Sequence, residues 1–444
     1  PTDQSAQRAF TNTRRFLFDN DGNQIDAYGA KVQNFNGTYY LYGNSFSTTG
    51  AAFGIKSYSS DDLLTWHYEG FLFDPFSPNS PCNAPGGCGR PHIVYSSKLS
   101  KYVLWANAGP VGYQIALSDS PSSKFTFLPN QAAIDPQFAA LQPADFTVET
   151  IGDKGYLVFS TLNFRYTDAG SLWPPINQTM HIAPLTDDFT NTTLVSYPVS
   201  GGEAPLDLID EEPESPDLFH RNGYWYIAAS NTCGYCNGTL GLIYRSKSIQ
   251  GPWKRQIISG YSCNGQVEGV LTITEPRTQQ STYIWHSTSV PGGPRVGFSG
   301  HIFQPLQFNG DGSVQDLNCA ADASYNVNVP QGSGTIEAGV ATTATDASPA
   351  LAAYSAVCDS DLFTLYQTWT ASKSGTLTEV AVNIAAIPAQ QLVPLTINVF
   401  RFSSLAALVQ PNYKYELLSS RSFNASELSY VFNTTSVMDL TGTA

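Results

Sequence analysis

Charge is scarce in this sequence. Of its 444 residues only 13% are Asp, Glu, Lys or Arg, against about 25% in an average soluble protein. Cations are the scarcer sign, 22 Lys and Arg against 36 Asp and Glu, so the formal net charge is −14. A surface of that sign repels polyanions, which argues against nucleic acid and acidic membrane surfaces as partners and favours a neutral ligand. Long apolar runs are missing as well: none approaches the ~20 residues needed to span a bilayer. No signal peptide is visible, and the start at Pro1 reads as that of a mature chain. Helix-type Glu/Lys runs are few. In their place stand 36 Gly, 28 Pro, 24 Tyr and 25 Phe, with many Ser, Thr and Asn, which is the texture of an all-β chain with long loops. A chain this long exceeds one compact core, so a domain of about 300 residues and a smaller one are expected.

Zinc-finger spacing is also absent. Cys233 and Cys236 form a C-x-x-C, but no second one exists and no His lies at finger distance, so zinc is not expected. Cys82 and Cys88 flank a Pro-Gly-Gly loop and are expected to bridge. A structural disulfide among Cys233, Cys236 and Cys263 is expected, leaving one of the three unpaired, with Cys319–Cys358 tying the two domains. Asn-x-Ser/Thr sequons occur at Asn36, Asn177, Asn191, Asn237, Asn424 and Asn433. Together with the disulfides they point to a secreted, extracellular eukaryotic glycoprotein.

What is present in quantity is a repeat. ESPDLFHRNGYWYIAAS (214–230) places a carboxylate at the entrance of a strand, then an Asn-Gly turn, then an aromatic strand. NFNGTYYLYG (34–43), SKLSKYVLWAN (97–107), GDKGYLVFS (152–160) and QQSTYIWHS (279–287) share the turn and the Tyr-bearing strand. A second strand, a Ser/Asp turn and an aromatic follow most of them, as in SYSSDDLLTW (57–66) and YRSKSIQGPW (244–253). The unit is two hairpins, or four strands, which arranged radially make a propeller. Counting gives a five-bladed β-propeller over residues 1–320; a pair of β-sandwiches is the competing arrangement. After Cys319 the aromatics thin out. Residues 321–444 read as a linker and a C-terminal β-sandwich of jelly-roll type, because LYQTWTA, TLTEVAVNIAAI and PLTINVFRF alternate with period two.

In a propeller the starts of the first strands converge on one axial pocket. The polar candidates there are Asp26, Arg90, Asp145, Glu214, and Gln266 with Glu268. Each has a plainer reading. Asp26 caps a DNDGN turn, Arg90 pairs with a surface acid, and Asp145 sits in a turn. Glu211 or Glu212 replaces Glu214, and Glu268 is a structural partner of Gln266. Carboxylates around a polar pocket suit glycosidic cleavage, in which one acid donates to the leaving oxygen and a water attacks from the other face. A further carboxylate raises the donor's pKa by repulsion. Tyr28, Trp105 and Tyr235 are candidates for stacking on sugar rings. No cofactor is expected, a structural calcium on the axis stays open, and His286 is a residue that would face it.

These segments resemble glycoside hydrolase family 43, and within it the exo-β-1,3-galactanase (galactan 1,3-β-galactosidase) branch. The likeness covers about residues 20 to 318. It rests on IDAYGAKVQNFNGTYYLYG (25–43), GRPHIVYSSKLSKYVLW (89–105), Asp145, the 214–230 stretch, NTCGYCNGT (231–239), SIQGPW (248–253) and SCNGQ (262–266). The resemblance implies Glu214 as general acid, Asp145 as the carboxylate that tunes it, and Gln266 as the holder of the attacking water. Asp26 lies near the base position of other family members at a different local spacing. Arg90, Thr232, Tyr235 and Glu268 fall among the implied substrate contacts. One departure is Gly89, where the galactanase branch carries a Glu before its Arg-Pro. The implied activity is that of a secreted, inverting exo-glycosidase on neutral polysaccharide, foremost the β-1,3-galactan of arabinogalactan, and a monomer is expected. An arabinofuranosidase or galactofuranosidase of the same family, and a sugar-binding propeller without catalysis, are the alternatives.

Overall fold

The computed structural model describes residues 5–11, 17–21, 23, 25–46, 52–75, 77, 80–83, 87–122, 124–163, 177–201, 209–232, 238–263, 265–274, 278–289, 300–319, 324–330, 376–383, 395–401, 416–423 and 435–443. The chain divides into two compact units, Pro1–Asp19 with Ile25–Ile336, and Asn20–Gln24 with Glu337–Ala444. The division lies beyond residue 320 because Ser324–Pro330 pairs antiparallel with Ser5–Thr11 inside the first unit.

The first unit is a five-bladed propeller. Blade one is Tyr28–Phe35, Thr38–Phe46, Ala52–Ser60 and His67–Phe71. Blade two is Gly89–Ser96, Lys101–Asn107, Tyr113–Ser118 and Thr126–Phe127. Blade three is Gln142–Ile151, Lys154–Asn163, Asn177–Pro184 and Tyr197–Val199. Blade four is Pro213–Arg221, Tyr224–Asn231, Gly241–Ser246 and Lys254–Ser259. Blade five has three described strands, Gln266–Thr274, Ser281–Ser289 and Gly300–Pro305. Within each blade the strands pair in chain order. The first strands neighbour one another in a closed cycle, one to five and back to one, so they are the inner strands.

Local chemistry makes these hairpins. Asn36–Gly37 and Asn222–Gly223 all have positive φ, 56° and 93°, then 50° and 77°, as a two-residue turn of primed type demands. The apolar face of each blade packs on its neighbour, and one core cluster lies at every junction. Trp66 and Leu41 meet Ile284 and Phe303 between blades one and five. Ile55 meets Ile93 between one and two, Trp105 meets Phe146 and Phe159 between two and three. Val158 meets Leu218 between three and four, and Tyr226 meets Trp285 between four and five. Ring closure is therefore a product of side-chain packing.

Cys82 and Cys88 are bridged as expected. Cys263, however, pairs with Cys319, which corrects the expected tie of Cys319 to Cys358 and leaves Cys233 and Cys236 as the two of the expected trio that Cys263 does not join. The reason is topological: the main-chain N–H of Leu317 donates to the carbonyl of Ile258 at 2.8 Å, which lays the segment leading to Cys319 along the outer strand of blade four. Cys233, Cys236 and Cys358 lie outside the described residues, as do the sequons at Asn237, Asn424 and Asn433. Asn36 is exposed at its turn, whereas the Asn191 carboxamide oxygen accepts from the N–H groups of Ala133 and Thr192. Asn177 opens the third strand of blade three.

In the second unit, Thr376–Asn383 pairs with Thr435–Thr443 and Leu395–Arg401 with Glu416–Phe423, all antiparallel. The period-two segments are strands, as expected. LYQTWTA lies outside the described residues.

Candidate active site

A regular strand sends successive side chains to opposite faces. All five inner strands break that rule at the same depth. Their pairing register shifts between Tyr28 and Lys31, Gly89 and His92, Pro143 and Phe146, Glu214 and Asp217, and Val267 and Gly269. A bulge of this kind re-aims side chains. Gly29, Arg90 and Ser215 sit in the bulges with positive φ of 64°, 45° and 54°.

The bulge residues of blades two to five are joined. Arg90 Nη1 donates to Ser215 Oγ at 3.1 Å and lies 3.4 Å from Glu268 Oε2. Ser215 Oγ donates to Asp145 Oδ2 at 2.8 Å, and Arg90 Nη1 stands 3.9 Å from that same oxygen. Thr288 Oγ1 donates to Glu268 Oε1. Burial opposes the Arg90 charge, but Asp145 and Glu268 outweigh it and hold the guanidinium above its usual pKa. Glu268 is pushed up to about 7, chiefly by burial, with Arg90 and Thr288 pulling the other way.

Beside this chain lies a second. Gln266 Nε2 donates to Glu214 Oε1 at 2.5 Å, and the Tyr28 hydroxyl donates to Gln266 Oε1 at 2.9 Å. The Gln266 amide is thus oriented from both ends, and its carbonyl oxygen keeps a lone pair for one more donor. Glu214, Gln266 and Tyr28 are each at most 9% exposed. The structure therefore brings Glu214, Gln266, Tyr28, Arg90, Asp145 and Glu268 together at the bulges of the inner strands.

It does not bring all candidates there. Asp26 is held elsewhere in blade one: Lys56 Nζ lies 2.8 Å and Ser45 Oγ 2.5 Å from its Oδ2, and its N–H donates to the Tyr58 hydroxyl. Trp105, expected to stack on sugar, is fully buried and donates its indole N–H to the Phe189 carbonyl at 2.8 Å. It is a core residue, as its neighbours Val103, Leu104 and Ala106 imply. The Thr232 hydroxyl is engaged with Gln178 Oε1 and the Glu212 carbonyl. Gln178 in turn donates to Ser160, and Ser160 to the Asp145 carbonyl, so Thr232 braces the Asp145 strand. Tyr235 lies outside the described residues. His286 packs in blade five, its Nε2 3.0 Å from His301 Nδ1 and its ring stacked on Phe303. Among the described residues no three or more His, Cys, Asp or Glu side chains are grouped to hold a metal ion.

Sequence reasoning missed Ser215, since a serine beside an acid carries no signal of its own. It also missed a lower layer beneath the bulges. Lys31 Nζ lies 2.5 Å from both Glu149 Oε1 and Asp217 Oδ1. Thr147 Oγ1 donates to Asp217 Oδ1 at 2.7 Å, and the Val270 N–H donates to Asp217 Oδ2 at 2.6 Å. The available signal was a charge set inside an apolar inner strand just past Tyr28, Asp145 and Glu214, namely Lys31, Glu149 and Asp217.

The sequence matches no protein-family model and no curated protein. Solved structures do match. An exo-β-1,3-galactanase from Clostridium thermocellum is 21% identical, with a TM-score of 0.55 over 71% of this chain and 68% of that one. One from Phanerochaete chrysosporium, solved with β-1,3-galactotriose, is 21% identical with a TM-score of 0.55 over 72% and 70%. A family 43 β-1,3-galactosidase solved with galactodeoxynojirimycin is 21% identical with a TM-score of 0.54 over 68% and 96%. The first unit of this chain thus has the five-bladed fold of the glycoside hydrolase family 43 exo-β-1,3-galactanases.

Proposed function

We propose that this chain is a secreted, inverting exo-glycoside hydrolase acting on neutral polysaccharide, with β-1,3-galactan as its substrate. The observation that carries the reading is the buried Tyr28–Gln266–Glu214 chain beside the Arg90–Ser215–Asp145 chain. A carboxyl able to give a proton and an amide able to hold water meet at the axis. The fold neighbours solved with galactotriose and galactose support the sugar class.

Glu214 gives its proton to the glycosidic oxygen as the bond to C1 breaks. A water held on Gln266 Oε1 bonds to C1 from the opposite face and releases its proton to surrounding solvent water, from which Glu214 is reprotonated after the product leaves. Gln266 itself is no base at neutral pH, so its contribution is placement. Inverting enzymes keep their two groups ~6.5–9.5 Å apart to admit sugar and water, so a bound sugar parts the Glu214–Gln266 contact. Arg90 and Asp145 contact or tune the reacting groups, and the protein works as a monomer without a required cofactor. Its disulfides suit an extracellular setting.

The test is Glu214→Gln, which keeps shape and removes the proton. Turnover of β-1,3-galactobiose should fall ~10²–10⁴-fold while galactose binding persists. Near-full turnover by the variant would move the acid to another residue; wild-type binding without any sugar release would favour a lectin.

A further inference from the structure

We propose that the Lys31–Asp217–Glu149 cluster, with Lys31 and Asp217 buried and Glu149 half-buried, is a positioning unit that sets the separation of the strands carrying Glu214 and Gln266. The inference deepens the proposed function and rests on it for its kinetic consequence.

One connected network ties all five inner strands just below the bulges. Lys31 comes from blade one and bridges Glu149 of blade three and Asp217 of blade four. Thr147 of blade three donates to Asp217, and His92 Nδ1 of blade two lies 3.2 Å from the Thr147 hydroxyl. Since Thr147 spends its one hydroxyl hydrogen on Asp217, His92 Nδ1 is the donor in that contact. Blade five joins through the Val270 N–H.

Asp217 is the hub. Its two oxygens accept from blades one, three and five, and every one of those partners follows a pocket residue on its own strand: Lys31 after Tyr28, Thr147 after Asp145, Val270 after Gln266 and Glu268. Asp217 itself follows Glu214 and Ser215 across the bulge. A bulge leaves the ladder unpaired locally, so the backbone at Glu214 is anchored on its inner side by Asp217 and on the other by Ser230, opposite Glu214. The cluster is also rigid by burial. Lys31 and Asp217 side chains are 4% and 0% exposed, and a charged pair at that depth has no water to exchange with.

Three variants test this. Asp217→Asn turns one acceptor oxygen into an NH₂ that faces donors, so either the Val270 tie or the Lys31–Thr147 side must let go. Thr147→Val removes one hydroxyl from a fully buried site at equal volume, and Thr147→Ser restores it. Crystal structures should show the Glu214–Gln266 Cα separation changed by about 0.5–1 Å in Asp217→Asn and Thr147→Val, and unchanged in Thr147→Ser; displacements of that size cost up to ~10²-fold in rate. Turnover should fall about 10- to 100-fold on β-1,3-galactobiose, whose leaving group needs the acid, and under about 3-fold on 4-nitrophenyl β-galactoside, whose leaving group does not. A purely structural role would lower both substrates alike, in step with the folded fraction. An unmoved Cα separation in folded Thr147→Val and Asp217→Asn, or equal losses on the two substrates, overturns the inference. Should the wild type hydrolyse neither substrate, the proposed function falls and the crystallographic comparison alone decides the positioning role.

Discussion

Replacing Glu268 by Gln should change how stability depends on pH, with a sign set by the burial of its carboxyl. Glu268 is 1% exposed and its carboxyl titrates near 7 instead of 4.5, because burial outweighs Arg90, Thr288 and the Gly29 N–H. A folded-state pKa above the unfolded one means the folded protein holds the proton more tightly. The stability this confers is complete below pH 4.5 and is lost as pH rises through 7. Its full size is about 3 kcal/mol at ~1.4 kcal/mol per pH unit, and most of it, on the order of 2–3 kcal/mol, disappears between pH 5 and pH 8. The assay is urea unfolding of wild type and Glu268→Gln, following the intrinsic fluorescence of the propeller at several pH values. The buried imidazoles of His92, His286 and His301, all held below their usual pKa by burial first, titrate in both proteins and cancel in the difference. Wild type should lose on the order of 2–3 kcal/mol relative to the variant from pH 5 to pH 8. A flat difference, or a wild type that gains on the variant as pH rises, would show that Arg90 dominates burial and that Glu268 is an ordinary ion-pair carboxylate.

Gln266→Ala should cost turnover more than Asp26→Asn, and Asp26→Asn should leave the shape of the kcat/KM–pH profile intact, because Asp26 is bound to Lys56 and Ser45. A severe Asp26 defect beside a mild Gln266 defect would instead make Asp26 the base. Tyr28→Phe deletes the donor to Gln266 Oε1, and one hydrogen bond of about 1 kcal/mol sets an expected loss of up to ~10-fold in kcat at nearly constant KM; a KM effect alone would return Tyr28 to sugar stacking. Trp105→Ala should destabilise by roughly 3–5 kcal/mol without altering KM, as measured by unfolding and by kinetics on the remaining folded enzyme.

The parts of this molecule that were legible in the sequence are the parts set by local chemistry. Asn222–Gly223 makes its turn because Asn and Gly tolerate positive φ, and five Tyr-bearing strands after such turns count the blades. Glu214, Asp145 and Gln266 were legible because repeats bring equivalent positions to one axis. What was hidden depends on separations that no short motif carries. Cys263 and Cys319 are 56 residues apart, and Lys31 finds its carboxylates 118 and 186 residues away. The bulges hid more. They turn neighbours such as Glu214 and Ser215 toward one pocket, where period-two reading would have sent one of them outward. Trp105 was misread for the opposite reason: an aromatic was credited with function although Val, Leu and Ala around it marked it as core.

The two polar layers at the axis obey different rules, and the difference explains why the lower one exists. Under the proposed function the upper layer, from Asp145 to Gln266, has to offer unspent hydrogen-bonding capacity to a sugar. Asp145 accordingly keeps 28% of its side chain exposed. The lower layer gains nothing from a ligand, and burying the Lys31 ammonium against Asp217, with Glu149 23% exposed beside them, costs several kcal/mol per buried ion before their attraction is counted. Apolar side chains of equal volume would do as well or better for stability alone, and the next residue on each of these strands, Val32, Ile93, Val148 and Leu218, turned to the blade junctions, is apolar and at most 3% exposed. Apolar contacts are non-directional, however, and would let five bulged strands slide against one another. A charged hub with three fixed donors does not slide. Thr147→Val therefore probes the reason the lower layer exists, since it removes direction while leaving volume and burial in place.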